Sequence, residues 1–268
     1  MKTKLLIIAG LMGVWGLISC EKAEHTLPKL EVVDDVCTKM DDINFMKYCY
    51  DNFDVNKDGK VSMAEANAVK EISGFDNSSL LKVVSYAGIE YFSNLEIIRL
   101  GTDRWYDTPQ VKTMDLSYNK CLASISLIHA THISSLDLRF NNELEYVDME
   151  GCAELTTIYL PKSIESIPAS AFSDCVKLSV VDMSQCINLS EIRGGSYSYT
   201  FPSNIDVFLI GATVPPKTSN YSMKFEGIKT LKVPTGSVED YKKSSWKHYA
   251  LEIKPIEKNE CQECILSN

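Results

Sequence analysis

Residues 144–160 read LEYVDMEGCAELTTIYL and contain one pattern twice: Leu144, Val147 and Met149, then Leu155, Ile158 and Leu160. Each set places apolar residues at i, i+3 and i+5, and the second set starts 11 residues after the first. Upstream, the same step reaches Ile133/Leu136/Leu138, Leu122/Ile125/Leu127 and Val111/Met114/Leu116, so five units run without a break from 111 to 160. The pattern recurs at Leu95/Ile98/Leu100 before them. After them come Leu178/Val181/Met183, Leu189 with Ile192, Ile205/Phe208/Ile210 and Ile228/Leu231/Val233. A fixed period of this length marks stacked repeats, since a single globular core gives a chain no reason to keep step.

The last two apolar positions of each unit alternate, as in a strand with one buried face. A strand this short cannot stand alone. It becomes stable when the chain turns and the next strand covers its edge, which is the logic of a solenoid. Three residues before several units stands a residue suited to a buried turn: Asn119, Asn141, Cys152, Cys175 and Cys186. A side chain there can turn inward and bond backbone that would otherwise be buried without a partner. The expected fold is therefore a β-rich repeat solenoid with an 11/22-residue period.

Together these features match the L-x-x-L-x-L-x-x-N/C signature of leucine-rich repeats. From Gly88–Leu95 (GIEYFSNL) onward the chain resembles the BspA-type leucine-rich repeat surface proteins of Gram-negative anaerobes. The string LPKSIESIPASAFSDC at 160–175 and the ending VPTGSVEDY at 233–241, followed by Trp246, carry the likeness. The resemblance covers roughly 88–256, including a C-terminal cap. It implies a cell-surface role in adhesion or macromolecular binding and brings no catalytic residues with it. The chain departs from that pattern in having few repeats, a shortened spacing after Leu100 and a longer one after Met183.

Ahead of the repeats, FDVNKDGKVSMAEA at 53–66 fills each diagnostic position of a twelve-residue calcium loop. Asp54, Asn56 and Asp58 stand at positions 1, 3 and 5, Gly59 at the sharp turn, and Lys60 at position 7, where the backbone carbonyl serves. Ser62 follows at 9 and Glu65 at 12, which supplies a bidentate carboxylate. A hard cation wants six to eight oxygens, and this spacing brings that many around one centre. The flanks predict helices, one ending at Phe53 and one over Ala64 to Ile72. Residues 36–87 thus read as a small helical EF-hand-like unit holding one Ca2+. Its simplest role is to cap the open N-terminal edge of the repeats. A dockerin-like recruiting module is the alternative, although dockerins carry two such loops and one is found here.

Residues 1–19 have Lys2 and Lys4, an apolar run from Leu5 to Leu17 and the ending Leu17-Ile18-Ser19, followed by Cys20. This reads as an export signal. Leu17–Cys20 resembles a bacterial lipobox, which makes Cys20 the lipidation site and the first residue after cleavage. Contact with the membrane through that lipid alone, at the outer membrane of a Gram-negative bacterium and exposed on the surface, is the expectation. Residues 20–35 lack periodicity and read as a tether, and 257–268 as a tail. Cleavage removes two positive charges and takes the net charge from −9 to −11. Nucleic acid, which requires a basic face, is excluded as a partner.

Of nine cysteines, Cys152, Cys175 and Cys186 read as buried thiols of the turn ladder. Cys37 and Cys49 lie ahead of the repeats, where their pairing with each other is left open, Cys121 is undecided, and Cys261 with Cys264 reads as a tail disulfide. The chain has no H-E-x-x-H, G-x-S-x-G or phosphate loop, and its S-x-x-K strings at 79–82 and 117–120 lack their companion motifs. An enzyme is not expected. His129 and His132 read as an exposed turn pair. The ligand-binding candidates are the aromatics at irregular spacing: Trp105, Tyr106, Tyr197, Tyr199 and Tyr221. Such rings offer large area at low entropy cost and suit either a protein or a glycan.

Overall fold

The computed structural model describes residues 27–74, 79–101, 108–195, 199–219, 221–224 and 226–257. The signal, Cys20, Trp105, Tyr106, Tyr197, Cys261 and Cys264 lie outside them.

The chain begins with a 3-10 turn at Val36–Lys39, helix α1 at Ile43–Phe53 and helix α2 at Met63–Ala68. Thirteen short strands follow among the described residues. These are β1 (Glu71–Ser73), β2 (Ile97–Leu100), β3 (Ser124–Leu127), β4 (Ser135–Asp137), β5 (Tyr146–Asp148), β6 (Thr157–Tyr159), β7 (Ser166–Ile167), β8 (Val180–Met183), β9 (Glu191–Ile192), β10 (Ile205–Ile210), β11 (Lys217–Thr218), β12 (Ile228–Val233) and β13 (Ala250–Pro255). Helix α3 spans Val238–Lys243 between the last two.

All pairings between these strands are parallel, and they form three sheets ordered β1-β2-β3-β5, β13-β12-β10-β8-β6-β4 and β11-β9-β7. The 11-residue step acquires its physical meaning here. Units starting at 122 and 144 lie in the first sheet and those at 133 and 155 in the second, so successive units alternate between sheets. A strand pairs with the one 22 residues on: Ser124 sits opposite Tyr146, and Ser135 opposite Thr157. One coil here therefore takes about two units and carries one strand in each of these two sheets.

Alternation within each strand builds the core. Ile72, Ile98, Ile125 and Val147 stack in register along the first sheet, and Leu136, Ile158, Val181, Phe208 and Leu231 along the second; all nine are buried. Burying a side chain of this kind stabilises the fold by about 1.5–3 kcal/mol. No rung of two to four residues holds that gain alone, because its neighbours supply the cover.

The buried turns are satisfied as the ladder predicts. Asn119 Nδ2 donates to the carbonyls of Ile89 and Phe92, both at 3.0 Å. Asn141 Nδ2 donates to Leu116 and Asn119, both at 2.9 Å. Thiols take the same role before β6, β8 and β9: Cys152 Sγ reaches the Leu127 carbonyl at 3.2 Å, Cys175 Sγ that of Met149 at 3.0 Å, and Cys186 Sγ that of Pro161 at 3.1 Å. A second ladder was not anticipated. Asp115, Asp137, Asp148 and Asp182 each accept the amide two residues on, closing the turn that leaves the unit.

Several expectations are corrected. The outgoing helix stops at Ala68, and Glu71–Ser73 becomes the first rung because Ile72 pairs with Ile98. The repeat stack thus starts inside the segment expected to be wholly helical. The unit at 111 forms only an isolated parallel bridge from Thr113 to Ser85. Residues 27–35 do not behave as a free tether: Leu30 and Val33 pack on the core, and Asp35 is buried.

The helical unit covers the first coil. Phe45 of α1 is buried against Tyr86, with ring centroids 4.8 Å apart, and Phe53 packs on Phe92 at 5.5 Å. Asp42 caps α1 through the amides of Asn44 and Phe45, while its other oxygen takes the Val84 amide at 2.7 Å. One carboxylate therefore fastens the helix to the coil. At the far end, Trp246 and Tyr241 are buried and donate to the carbonyls of Pro216 and Ala212, each at 2.9 Å.

Candidate functional site

The loop between α1 and α2 is shaped by its own side chains. Asp54 Oδ2 accepts the Gly59 amide at 3.0 Å and Asp54 Oδ1 the Asp58 amide at 3.2 Å. Asn56 Oδ1 also takes the Asp58 amide at 3.0 Å, and Asp58 Oδ1 takes that of Lys60 at 2.9 Å. These bonds wind the loop tightly enough that Lys57 and Gly59 adopt positive φ of 58° and 83°. Glycine meets that demand without strain.

Glu65 closes the loop from α2. Its Oε1 accepts the amides of Val55 at 2.9 Å and Asn56 at 3.3 Å, and its Oε2 accepts the Ser62 amide at 2.9 Å and hydroxyl at 2.8 Å. Ser62 Oγ in return takes the Glu65 amide, so the two form a capping box on α2. The Ser62 amide, and after it the Ser62 hydroxyl, hold the Glu65 carboxyl below its ordinary value.

Asp54, Asn56, Asp58, Lys60, Ser62 and Glu65 are thus held on one short, wound loop. Among the described residues no group of three or more His, Cys, Asp or Glu side chains stands together as a metal cluster. The loop's donor chemistry does not depend on such a cluster: its three carboxylates are joined by an amide oxygen, a hydroxyl and a backbone carbonyl. An all-oxygen set suits a hard cation, and these residues fit calcium.

The structure brings together two of the aromatic candidates. Tyr199 and Tyr221 lie on adjacent coils with ring centroids 5.6 Å apart and planes tilted by 57°. Their relative exposures are 38% and 46%, so both rings are open to solvent. The backbone fixes the pair: the Thr200 amide donates to the Tyr221 carbonyl at 2.8 Å, and the Phe172 amide to the Thr200 carbonyl at 3.0 Å. Next to Tyr199, Phe201 is buried and stacks on Phe172 at 5.0 Å, so the chain turns one ring inward and the other outward within three residues. Tyr221 has a φ of 64°, a conformation held by its neighbours.

Cys37 and Cys49 stand beside each other as buried free thiols. Burial and then the Cys37 thiol push that of Cys49 far above its usual range. Burial pushes the Cys152 thiol up to about 12, and burial drives Cys175 and Cys186 higher still. Such groups are structural, without thiolate chemistry.

No family model matches the chain, and no curated protein matches it. Among solved structures, it is similar to an internalin C2 of Listeria monocytogenes (12% identity, 85% of this chain and 100% of that one, TM-score 0.30). It is also similar to a second internalin of Listeria monocytogenes (12% identity, 88% and 96% covered, TM-score 0.24) and to a leucine-rich repeat protein of Bacteroides ovatus (17% identity, 73% and 63% covered, TM-score 0.22). At these scores the likeness adds nothing to the strand register above, on which the repeat fold rests.

Proposed function

We propose that this chain is a surface-held recognition scaffold: a leucine-rich repeat solenoid that binds a protein or glycan, stiffened by one calcium ion in the 54–65 loop. The lipobox-like Leu17–Cys20 supports attachment through lipid to the outer membrane of a Gram-negative cell. No motif of the sequence supports an enzyme. The observation that carries the binding role is the Tyr199–Tyr221 pair, two exposed rings in contact on a stack where the described phenylalanines nearby, Phe172, Phe201 and Phe208, are buried. Two rigid rings lose little entropy on binding and present both apolar area and hydroxyls.

Calcium, held by Asp54, Asn56, Asp58, the Lys60 carbonyl, Ser62 and Glu65, would offset the repulsion of three carboxylates and stiffen the helical unit over the first coil. The test probes a glycan array and a panel of surface proteins with the intact chain and with Tyr199→Ser/Tyr221→Asn, where Asn tolerates the positive φ. Loss of about tenfold or more in affinity at unchanged melting temperature is expected, the effect of anchors worth about 1.4 kcal/mol. Equal binding by both proteins would remove the pair from the interface. A partner lost on Glu65→Gln while the repeats stay folded would favour the dockerin-like role.

A further inference from the structure

A loop of this kind depends on its middle, where Val61 lies between two of the expected ligands, the Lys60 carbonyl and Ser62. Val61 is fully buried, so its amide and carbonyl need partners inside the protein. Both partners come from one place outside the loop. The Val61 amide donates to Asp35 Oδ1 at 3.0 Å, and the Val61 carbonyl accepts the Val36 amide at 2.8 Å. Asp35 is itself only 8% exposed, and its carboxylate is fully used. Oδ1 also takes the Cys37 amide at 3.1 Å, and Oδ2 takes the Tyr50 hydroxyl of α1 at 2.7 Å. The Thr38 hydroxyl fixes the same residue from behind by donating to its carbonyl at 2.8 Å.

We infer that Asp35 and Val36 are positioning residues of the calcium loop, a strap that supplies in cis the backbone partner a lone loop otherwise lacks and so sets its affinity for the ion. The inference rests on the calcium assignment above. Asp35 touches no expected ligand directly. It acts by holding Val61, and through Val61 the two flanking oxygen donors, at fixed places relative to α1. Groups one shell out from a metal commonly set its affinity in this way.

The test uses the full chain. Calcium affinity is read by titration calorimetry, and protection of the Val61 amide by hydrogen exchange in chelator, which reports on the strap without metal. Asp35→Ala is expected to weaken calcium binding about tenfold, within the range known for outer-shell partners, and to strip the Val61 amide of its protection. Val36→Pro is the second variant, for the case that the first does not fold. Asp35 is already extended and Val36 opens a 3-10 turn, so proline suits the backbone there; it removes the bond to the Val61 carbonyl while keeping a buried apolar side chain of similar size. It too should weaken calcium binding several-fold. Wild-type affinity in either folded variant overturns the strap, whereas a wild-type chain that takes up no calcium at about 10 mM overturns the calcium assignment and the strap with it.

Discussion

Replacing Asn141 with alanine tests the turn ladder where it is tightest. Asn141 is fully buried, and its Nδ2 donates to the carbonyls of Leu116 and Asn119, both at 2.9 Å. Each carbonyl also accepts a backbone amide, from Asn119 at 3.0 Å and Leu122 at 3.2 Å, so neither is orphaned by the change. Two hydrogen bonds are lost at about 1 kcal/mol each, along with the contacts of a small buried volume. One term opposes this: Asn141 Oδ1 is buried without a partner, and alanine relieves that cost. The net loss is about 1–3 kcal/mol. Asn141→Cys should lose less than Asn141→Ala, because thiols serve as donors at the equivalent position of other units, at Cys152 and Cys175. The assay is urea unfolding of both variants and wild type at constant slope. An alanine variant within about 0.5 kcal/mol of wild type, or a cysteine variant less stable than the alanine one, would refute the ladder.

Other outcomes follow from the same geometry. With a maleimide at pH 8, Cys121, which is half-buried, should react in the folded protein, while Cys49, Cys152, Cys175 and Cys186 stay unlabelled until denaturant is added; peptide mass spectrometry reads the result, and early labelling of any of the four contradicts their structural role. Burial pushes the Asp42 carboxyl up, but the amides of Val84, Asn44, Phe45 and Ser85 outweigh it and hold the carboxyl below its ordinary value. Its stabilising contribution is therefore present above about pH 4 and lost as pH falls through the depressed folded value, so Asp42→Ala should cost stability at pH 6 and progressively less towards pH 2; an equal cost at both would refute the assignment. Limited proteolysis should leave a body that begins before Leu30, since Leu30 and Val33 pack on the core; trimming to Asp35 without loss of melting temperature would show that this packing contributes nothing.

The parts legible in the sequence were those whose signal repeats. Apolar triplets and the Asn/Cys step recur often enough to place the core face of each strand, and the wound turn at 54–65 is a contiguous motif. What stayed hidden depends on partners far along the chain. Ala66, Val69 and Ile72 continue a helical spacing past the end of α2, so β1 is invisible until β2 is there to pair with it. The two-residue strands β7 and β11 are too short to carry a period. The 11-residue step does not say that alternate units belong to different sheets. Asp35 lies 26 residues from Val61 and looks like any acidic residue of an aperiodic stretch. Tyr199 and Tyr221 could be picked out by type, but their contact comes from adjacent coils and no local pattern announces it.

The most direct test of a calcium-stiffened scaffold is the melting temperature of the whole chain, titrated with calcium from chelator to about 10 mM, beside Glu65→Gln. For a site of about 0.1 mM affinity, a hundredfold excess stabilises the folded state by about 2.7 kcal/mol, which is a rise of about 5–10 °C for a domain of this size. The account predicts that the transition of the repeats moves up by that amount in the wild type and stays at the chelator value in Glu65→Gln. A wild-type melting curve that calcium leaves unchanged would contradict it.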